Sequence, residues 1–349
     1  MPVEARRIFR VSLIVALSLA GAYALVLPLP YLAPMFAFLL SAKPAPPMGL
    51  KDLLVLIMVI LITMGVGLLL TPALINYSQT ALLFVAVGLY FSSYLTVNLE
   101  KAMIGLLLSI GLTMIPAAGT VDFSLALIIV VALVSNIALA IVCQWIVYPW
   151  LPEDELDSGA IETPAVGGIS SNWIALRTVL IVLPAFLLLL TNPLMYMPII
   201  IKSLLLGQQG SMVSARAAGR ELLGSTFLGG CFAILFWFML DLFTSLWMFF
   251  WWILLFSMYF CSKFYQLMPS RFSASFWQNV LVTMLILLGP AVEDSANGKD
   301  VYAAFAVRMG LFIAVTLYAW MAIFMLEQLR NRHRARISPS FLATGAHKC

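Results

Sequence analysis

An all-α polytopic membrane protein is the fold class this sequence predicts, and three observations carry it. The first is composition: 63% of the 349 residues are hydrophobic and only 10% are charged, against roughly 25% charged in an ordinary soluble domain. A water-facing surface cannot be built from so few charges, so the solvent over most of the chain is lipid. In lipid the backbone must satisfy its own hydrogen bonds, which leaves helices or a closed barrel. The second observation is the length and texture of the apolar runs. They are rich in Leu, Met and Ala and lack the polar/apolar alternation of barrel strands. The third is where the basic residues fall.

Taking about 20 residues per span, the first half reads as helices over 8–28, 50–71, 78–96, 100–117 and 121–149. The second half reads as helices over 175–191, 220–240, 243–262, 272–290 and 304–327. The first of these, preceded by Arg6 and Arg7, continues through Pro28 and Pro30 without a small-residue cleavage site and reads as a membrane helix rather than a signal peptide. A shorter proline-led apolar piece follows the opening helix of each half: Pro30–Ala42 and Pro193–Gly207. The expected total is therefore 10–12 transmembrane segments.

If both short pieces cross, Arg6, Arg7 and Arg10 share a side with Lys43, Lys51, Lys101, Arg216, Arg220, Lys263 and Arg271. The C-terminal arginines 330, 332, 334 and 336 join them. The opposite loops hold Asp122, Asp241 and Glu293–Asp300, with Lys299 the one basic residue. This is the positive-inside pattern, with both termini cytoplasmic in a bacterial inner membrane. It favours two repeats of about six helices each, the second helix of each being short. Arg10 and Arg177 open the two halves, Pro34 and Pro198 occupy corresponding places, and the runs from Gly49 and Gly219 open the next helix in each. Six crossings per half would make the repeats parallel, about an axis along the membrane normal. The organisation expected is a first repeat over 1–150, an acidic cytoplasmic linker over 151–174, a second repeat over 175–328 and a basic cytoplasmic tail over 329–349.

Chemistry-bearing residues are few. Cys143, Cys231 and Cys261 sit in apolar runs as small hydrophobes, and His333 and His347 lie in the tail. No metal site, cofactor or catalytic constellation is expected, and no phosphate-binding glycine loop is present. Charges at membrane depth are costly and are functional candidates by default. Lys202, followed by Gln208 and Gln209, lies in the second short segment; it either meets an anionic substrate or snorkels to the cytoplasmic face. Arg220 is an anion contact or an inside anchor, and Arg177 is a further candidate on the path. Gly224, Gly229 and Gly230 read as close helix packing. Arg308 either lines the path or pairs with Glu293, Asp294 or Asp300. Asn136 is a path residue or interhelical glue. Asp241 is a proton carrier or the cap of an outer turn, and Trp237, Trp247, Trp251 and Trp252 around it read as an interfacial belt.

The arginine before the first helix, the run "LPLPYLAPMFAFLL" after it and the run "SARAAGRELLGSTFLGG" in the second half carry a resemblance. The chain resembles the fusaric-acid-resistance and aromatic-carboxylic-acid exporter family, as a compact, membrane-only relative. That family's motif has a basic residue three before a Gly-Thr pair; here Arg220 is four before Gly224, and Ser225 stands before Thr226. The resemblance implies proton-driven efflux of small hydrophobic or aromatic organic acids, with a periplasmic membrane-fusion adaptor as partner. It also implies distant similarity to plant anion channels. Two alternatives follow, a passive anion channel and a non-transporting anchor for an adaptor complex. The partners expected are the lipid bilayer, a small organic anion, the adaptor and further copies of the chain, but not nucleic acid.

Overall fold

The computed structural model describes residues 3–42, 46–98, 102–152, 171–209, 215–298 and 300–344. Within them the chain forms twelve helices and no strand. In the first half these are α1 Val3–Ala24, α2 Leu32–Ser41, α3 Leu50–Asn76, α4 Ser78–Asn98, α5 Ala102–Val121 and α6 Phe123–Val147. In the second half they are α7 Ser171–Thr191, α8 Pro193–Gln209, α9 Ala215–Leu242, α10 Leu246–Phe264, α11 Ala274–Ala296 and α12 Val301–Thr344. Ten are long and apolar enough to cross a bilayer, and α2 and α8 are the shorter pair. The chain is a multi-pass helical membrane protein. The outer faces of α3 and α4 expose Leu54, Met58, Ile62, Phe84 and Phe91, a surface that lipid, and not water, can cover.

Several helix boundaries depart from the expected ones: α3 and α11 run five and six residues further, α9 begins five residues earlier, and two other departures have identifiable reasons. α1 stops at Ala24 rather than running to residue 28. Proline disfavours helical backbone in the residue before it, here Leu27 and Leu29; the chain places Leu29, and Val26 two residues before Pro28, in the left-handed region, each at φ 51°. α12 does not end with the membrane segment near residue 328 but continues to Thr344, so the first part of the basic tail is helix.

Long-range bonds sort the helix ends into two groups. At the near end, Arg10 Nη1 donates to the Leu151 carbonyl (3.2 Å), Trp145 Nε1 to Met48 (2.6 Å) and Tyr265 Oη to Ala42 (2.8 Å). These bonds bring together the start of α1, both flanks of the α2–α3 connection, and the ends of α6 and α10. At the far end, Tyr23 of α1 packs on Phe249 of α10 with ring centroids 5.2 Å apart. The Tyr31 ring, just before α2, lies against Gly289 near the end of α11. α2 thus starts among far-half residues and ends among near-end ones. The connection before it is held on α6. Asn136, midway along α6, donates Nδ2 to the Pro28 carbonyl at 2.9 Å. The twelve residues from Asn136 to Tyr148 put that contact about 18 Å from the near end.

Helix neighbours follow a pattern. α3 packs on α5 and α9 on α11; α1 on α2 and α7 on α8; α2 on α6 and α8 on α12. Between the halves, α1 packs on α10 while α7 packs on α4. α11 and α5 are the most enclosed long helices.

Candidate functional site

Lys202 lies in α8, a helix that is apolar nearly all round; its first turn exposes Leu194 and Met195, and the stretch around Lys202 is buried. Ile199 through Leu206 are all enclosed, and Lys202 itself is 0% exposed. It does not snorkel. Its Nζ donates to Asn279 Oδ1 at 2.6 Å and to Thr283 Oγ1 at 2.5 Å. These acceptors stand four residues apart on α11, the spacing that puts two side chains on one helix face. Asn279 Nδ2 in turn donates to Ser225 Oγ of α9. The Thr283 hydroxyl donates back to its own helix at the Asn279 carbonyl (2.5 Å), and Ser225 likewise to Leu222 (3.1 Å). Every proton therefore points away from the amine, and the oxygens nearest it are free to accept.

Close packing sets this geometry. A Cβ at Gly229 would lie 2.8 Å from both the Val280 carbonyl and Thr283 Cβ. Only a glycine lets α9 come near enough to α11 for Ser225 to reach Asn279. Gly224 faces Phe276, and Gly230 faces Met309 of α12, so all three glycines lie at helix contacts. A further hydroxyl pair, Thr226 and Thr316, joins α9 to α12 at 3.4 Å.

An ammonium has three donors. Two are placed on Asn279 and Thr283, and among the described residues the third has no partner and no carboxylate forms an ion pair with Lys202. The site is a buried amine surrounded by neutral acceptors. A charge enclosed in this way is costly unless an opposite charge joins it.

The other sequence candidates are spread out. Arg177 is buried on α7. Its neighbour Thr178 bonds the Gly207 carbonyl at the end of α8 (3.3 Å), so this arginine sits on the near-end side of Lys202. The backbones of Gln208, Gln209 and Arg220 fall in α8 and α9, but their side chains lie outside the described residues. Arg308 is remote. It meets Asp294 at 2.6 Å, eleven residues and about 16 Å beyond Thr283 along α11. The pair is a close ionic contact whose alignment falls outside hydrogen-bond geometry, so its attraction is mainly coulombic. Asp294 is thus the acid, of the three candidates, that takes Arg308.

Asp241 is exposed in the last turn of α9. The cap of the following helix is Ser245, whose hydroxyl accepts from the Met248 amide (3.2 Å). The turn-capping role expected of Asp241 therefore belongs to Ser245, whose hydroxyl reaches the third amide of α10 as an N-cap should. Trp247 and Trp251 are exposed at the start of α10, as an interfacial belt requires, while Trp237 is buried against Phe305. Among the described residues no three His, Cys, Asp or Glu side chains converge as metal ligands.

Asn136 is fully buried, and its Nδ2 holds both Pro28 and Ala132 (2.6 Å), while its Oδ1 has no partner among the described residues. Asn136→Ala would leave the Pro28 carbonyl without its donor. The expected cost is about 1–3 kcal/mol, read as a lower unfolding temperature of the purified protein.

The amine cage was only half legible in the sequence. Lys202 stood out as a charge in an apolar run, whereas Asn279, Thr283 and Ser225 did not. The available signal was the four-residue spacing of Asn279 and Thr283 in an otherwise apolar helix.

Comparison with known proteins reaches one half of the molecule. Residues 7–147 match the model of a family described as "Protein of unknown function (DUF2955)". No curated protein and no solved structure matches the chain. The matched stretch begins in the first turns of α1 and ends on the last residue of α6, and to that extent the chain is similar to this family.

Proposed function

We propose that the chain is a bacterial inner-membrane secondary transporter that exports small hydrophobic or aromatic organic anions, driven by the proton gradient. The observation that carries this reading is the buried Lys202 amine, held by neutral oxygens and without a carboxylate among the described residues. Intramembrane cations of this kind mark substrate or ion pathways, and a carboxylate is the ligand that would complete this one. Full enclosure of the amine favours a carrier, whose site is sealed from at least one side, over a passive anion channel with a continuously open path.

The exchange of neighbours between halves supports two parallel repeats: adding six to a helix number converts α1–α10 into α7–α4, and α3–α5 into α9–α11. The family match to the first six helices alone is in keeping with that division. The resemblance to fusaric-acid and aromatic-acid exporters supplies the substrate class and the adaptor partner. Asp241 is exposed at a helix end, so the proposed proton drive does not rest on it.

Orientation is tested by single cysteines in a cysteine-free background. Ser295→Cys at the far end is expected to react with an impermeant maleimide in intact cells, and Leu267→Cys at the near end only after permeabilisation. Reaction of both from the same side would break the crossing count, and the opposite pattern would invert the protein.

Transport is tested in inside-out vesicles loaded to an acid interior and supplied with labelled benzoate. A weak acid left to itself accumulates on the alkaline side, so uptake into the acid lumen requires coupled transport. Accumulation that a protonophore abolishes is the expected result. Fast equilibration without concentration would favour the channel, and no protein-dependent movement would favour the anchor.

A further inference from the structure

At the far end, α1, α11, α12 and the connection before α2 bring charged and phenolic groups together, well apart from the amine cage. Glu293 and Asp294, near the end of α11, face one guanidinium, that of Arg308 on α12. Asp294 takes it at 2.6 Å. Glu293 stands beside the pair, and among the described residues its carboxylate makes no ion pair and no hydrogen bond. Two phenols face it from the first half, Tyr23 at the end of α1 and Tyr31 ahead of α2. We propose that Glu293 is the residue that takes up the driving proton from the far aqueous phase. The inference deepens the export reading and rests on it for the proton drive itself.

The other acids at this end have different places. Asp122 caps α6, accepting from the Ser124 amide at 2.9 Å. Asp300 caps α12, accepting from the Tyr302 and Ala303 amides at 3.0 and 3.3 Å. Asp241 is exposed at the end of α9. Of the remaining helices packed on α11, α8 and α10 bring no charged side chain to this end. Lys299 lies outside the described residues.

Two carboxylates and one guanidinium leave one negative charge over, and a single proton on the Glu293 carboxylate cancels it. Acids placed in this way in membrane helices mark proton relays. Glu293 is exposed, so far-side water reaches it. Behind it, Tyr31 is 2% exposed, and the Tyr23 hydroxyl is buried without a hydrogen-bond partner among the described residues. A phenol can donate to a carboxylate or accept from a carboxylic acid, so the two phenols suit both protonation states.

A proton at Glu293 is felt at the amine through α11. Glu293 lies about 15 Å beyond Thr283 along that helix, and Pro290 stands between them. Proline interrupts the hydrogen-bond ladder and is where helices bend. The Tyr31 ring packs on Gly289, next to that joint and one turn below Glu293. Neutralising Glu293 thus changes the charge on one arm of a helix whose other arm holds Asn279 and Thr283 against Lys202.

The test separates driven accumulation from exchange, in inside-out vesicles carrying the full chain. Glu293→Gln fixes a neutral side chain and is expected to lose the accumulation of labelled benzoate driven by an acid lumen. Protein-dependent exchange of labelled for unlabelled benzoate without a gradient needs no net proton movement and is expected to continue. Glu293→Asp should keep accumulation but with its dependence on lumenal pH shifted, which a merely structural role would not produce. Tyr23→Phe leaves every charge in place and should shift the same profile. Native accumulation by Glu293→Gln overturns the site, and so does equal loss of accumulation and exchange. If Glu293→Gln is missing from the membrane, Glu293→Asp and Tyr23→Phe decide, and an unchanged pH profile in both overturns the site. The two readings fail separately: accumulation by the native protein and by Glu293→Gln alike overturns the proton site alone. Native protein that never accumulates benzoate overturns the export reading, and the proton site with it.

Discussion

Lys202→Gln is expected to leave the protein in the membrane at near-normal abundance while cutting export of an anionic substrate ten- to hundredfold. The expected size follows from what a hydrogen bond to a charged group contributes, about 1.5–3 kcal/mol. The structural cost runs the other way. Glutamine removes a buried charge that no described carboxylate offsets, and it keeps an amide N–H directed along the same path towards Asn279 and Thr283, the acceptors now used by the amine, from one bond further away. Replacing a buried ionic group by a neutral one of similar size is often neutral for stability or favourable. Lys202→Arg keeps the charge but not the compact ammonium, and should retain part of the transport. The measurement is export from preloaded cells, normalised to the protein in the membrane. Unchanged export by the glutamine variant would remove Lys202 from the path and move attention to Arg177, the other buried cation near the end of α8.

Gly67→Ala should have the largest effect on folding. α3 and α5 cross so closely that a methyl group at Gly67 would run into the carbonyl oxygen of Gly111. At Gly111 the added carbon would lie 2.5 Å from the Thr63 carbonyl oxygen. These obstacles are backbone, and backbone in a helix pair cannot give way without separating the helices. The cost should reach or exceed the about 1–3 kcal/mol typical of overpacking, with the protein lost from the membrane or unfolding at much lower temperature. Gly65 and Gly310 provide the control, since nothing lies within 4 Å of a Cβ at either position. Alanine there should be neutral, or stabilising by about 0.5–1 kcal/mol, from better helix propensity alone. Equal behaviour at all four positions would mean that α3 and α5 are not in this contact.

Much of the helical layout can be read in the sequence because lipid imposes a length on every span. The apolar run at 121–149 corresponds to α6 within two residues at each end, and the run from 50 begins where α3 begins but ends five residues before it. Both short segments are helices, as the proline-led pieces suggested. The misses came where local chemistry overrides hydropathy. Pro28 and Pro30 end α1 early although Leu25, Val26 and Leu27 are as apolar as the residues before them. Polar residues past 328 carry α12 on, because arginine is a good helix former. The cage shows a different limit. A charged residue in an apolar run announces itself, but what receives it depends on the register of one helix whose acceptors lie 77 and 81 residues away. Asn136 is similar: its polarity is visible in sequence, but its bond to a carbonyl 108 residues earlier is not.

The connection hung from Asn136 has a mechanical consequence. Asn136 Nδ2 holds the Pro28 carbonyl ahead of α2, and Trp145 Nε1, nine residues further along α6, holds the Met48 carbonyl behind it. Both approaches to α2 are therefore fastened to one helix, against which α2 itself packs. α2 cannot slide along its own axis unless α6 travels with it, so the two helices form one rigid unit within the first half.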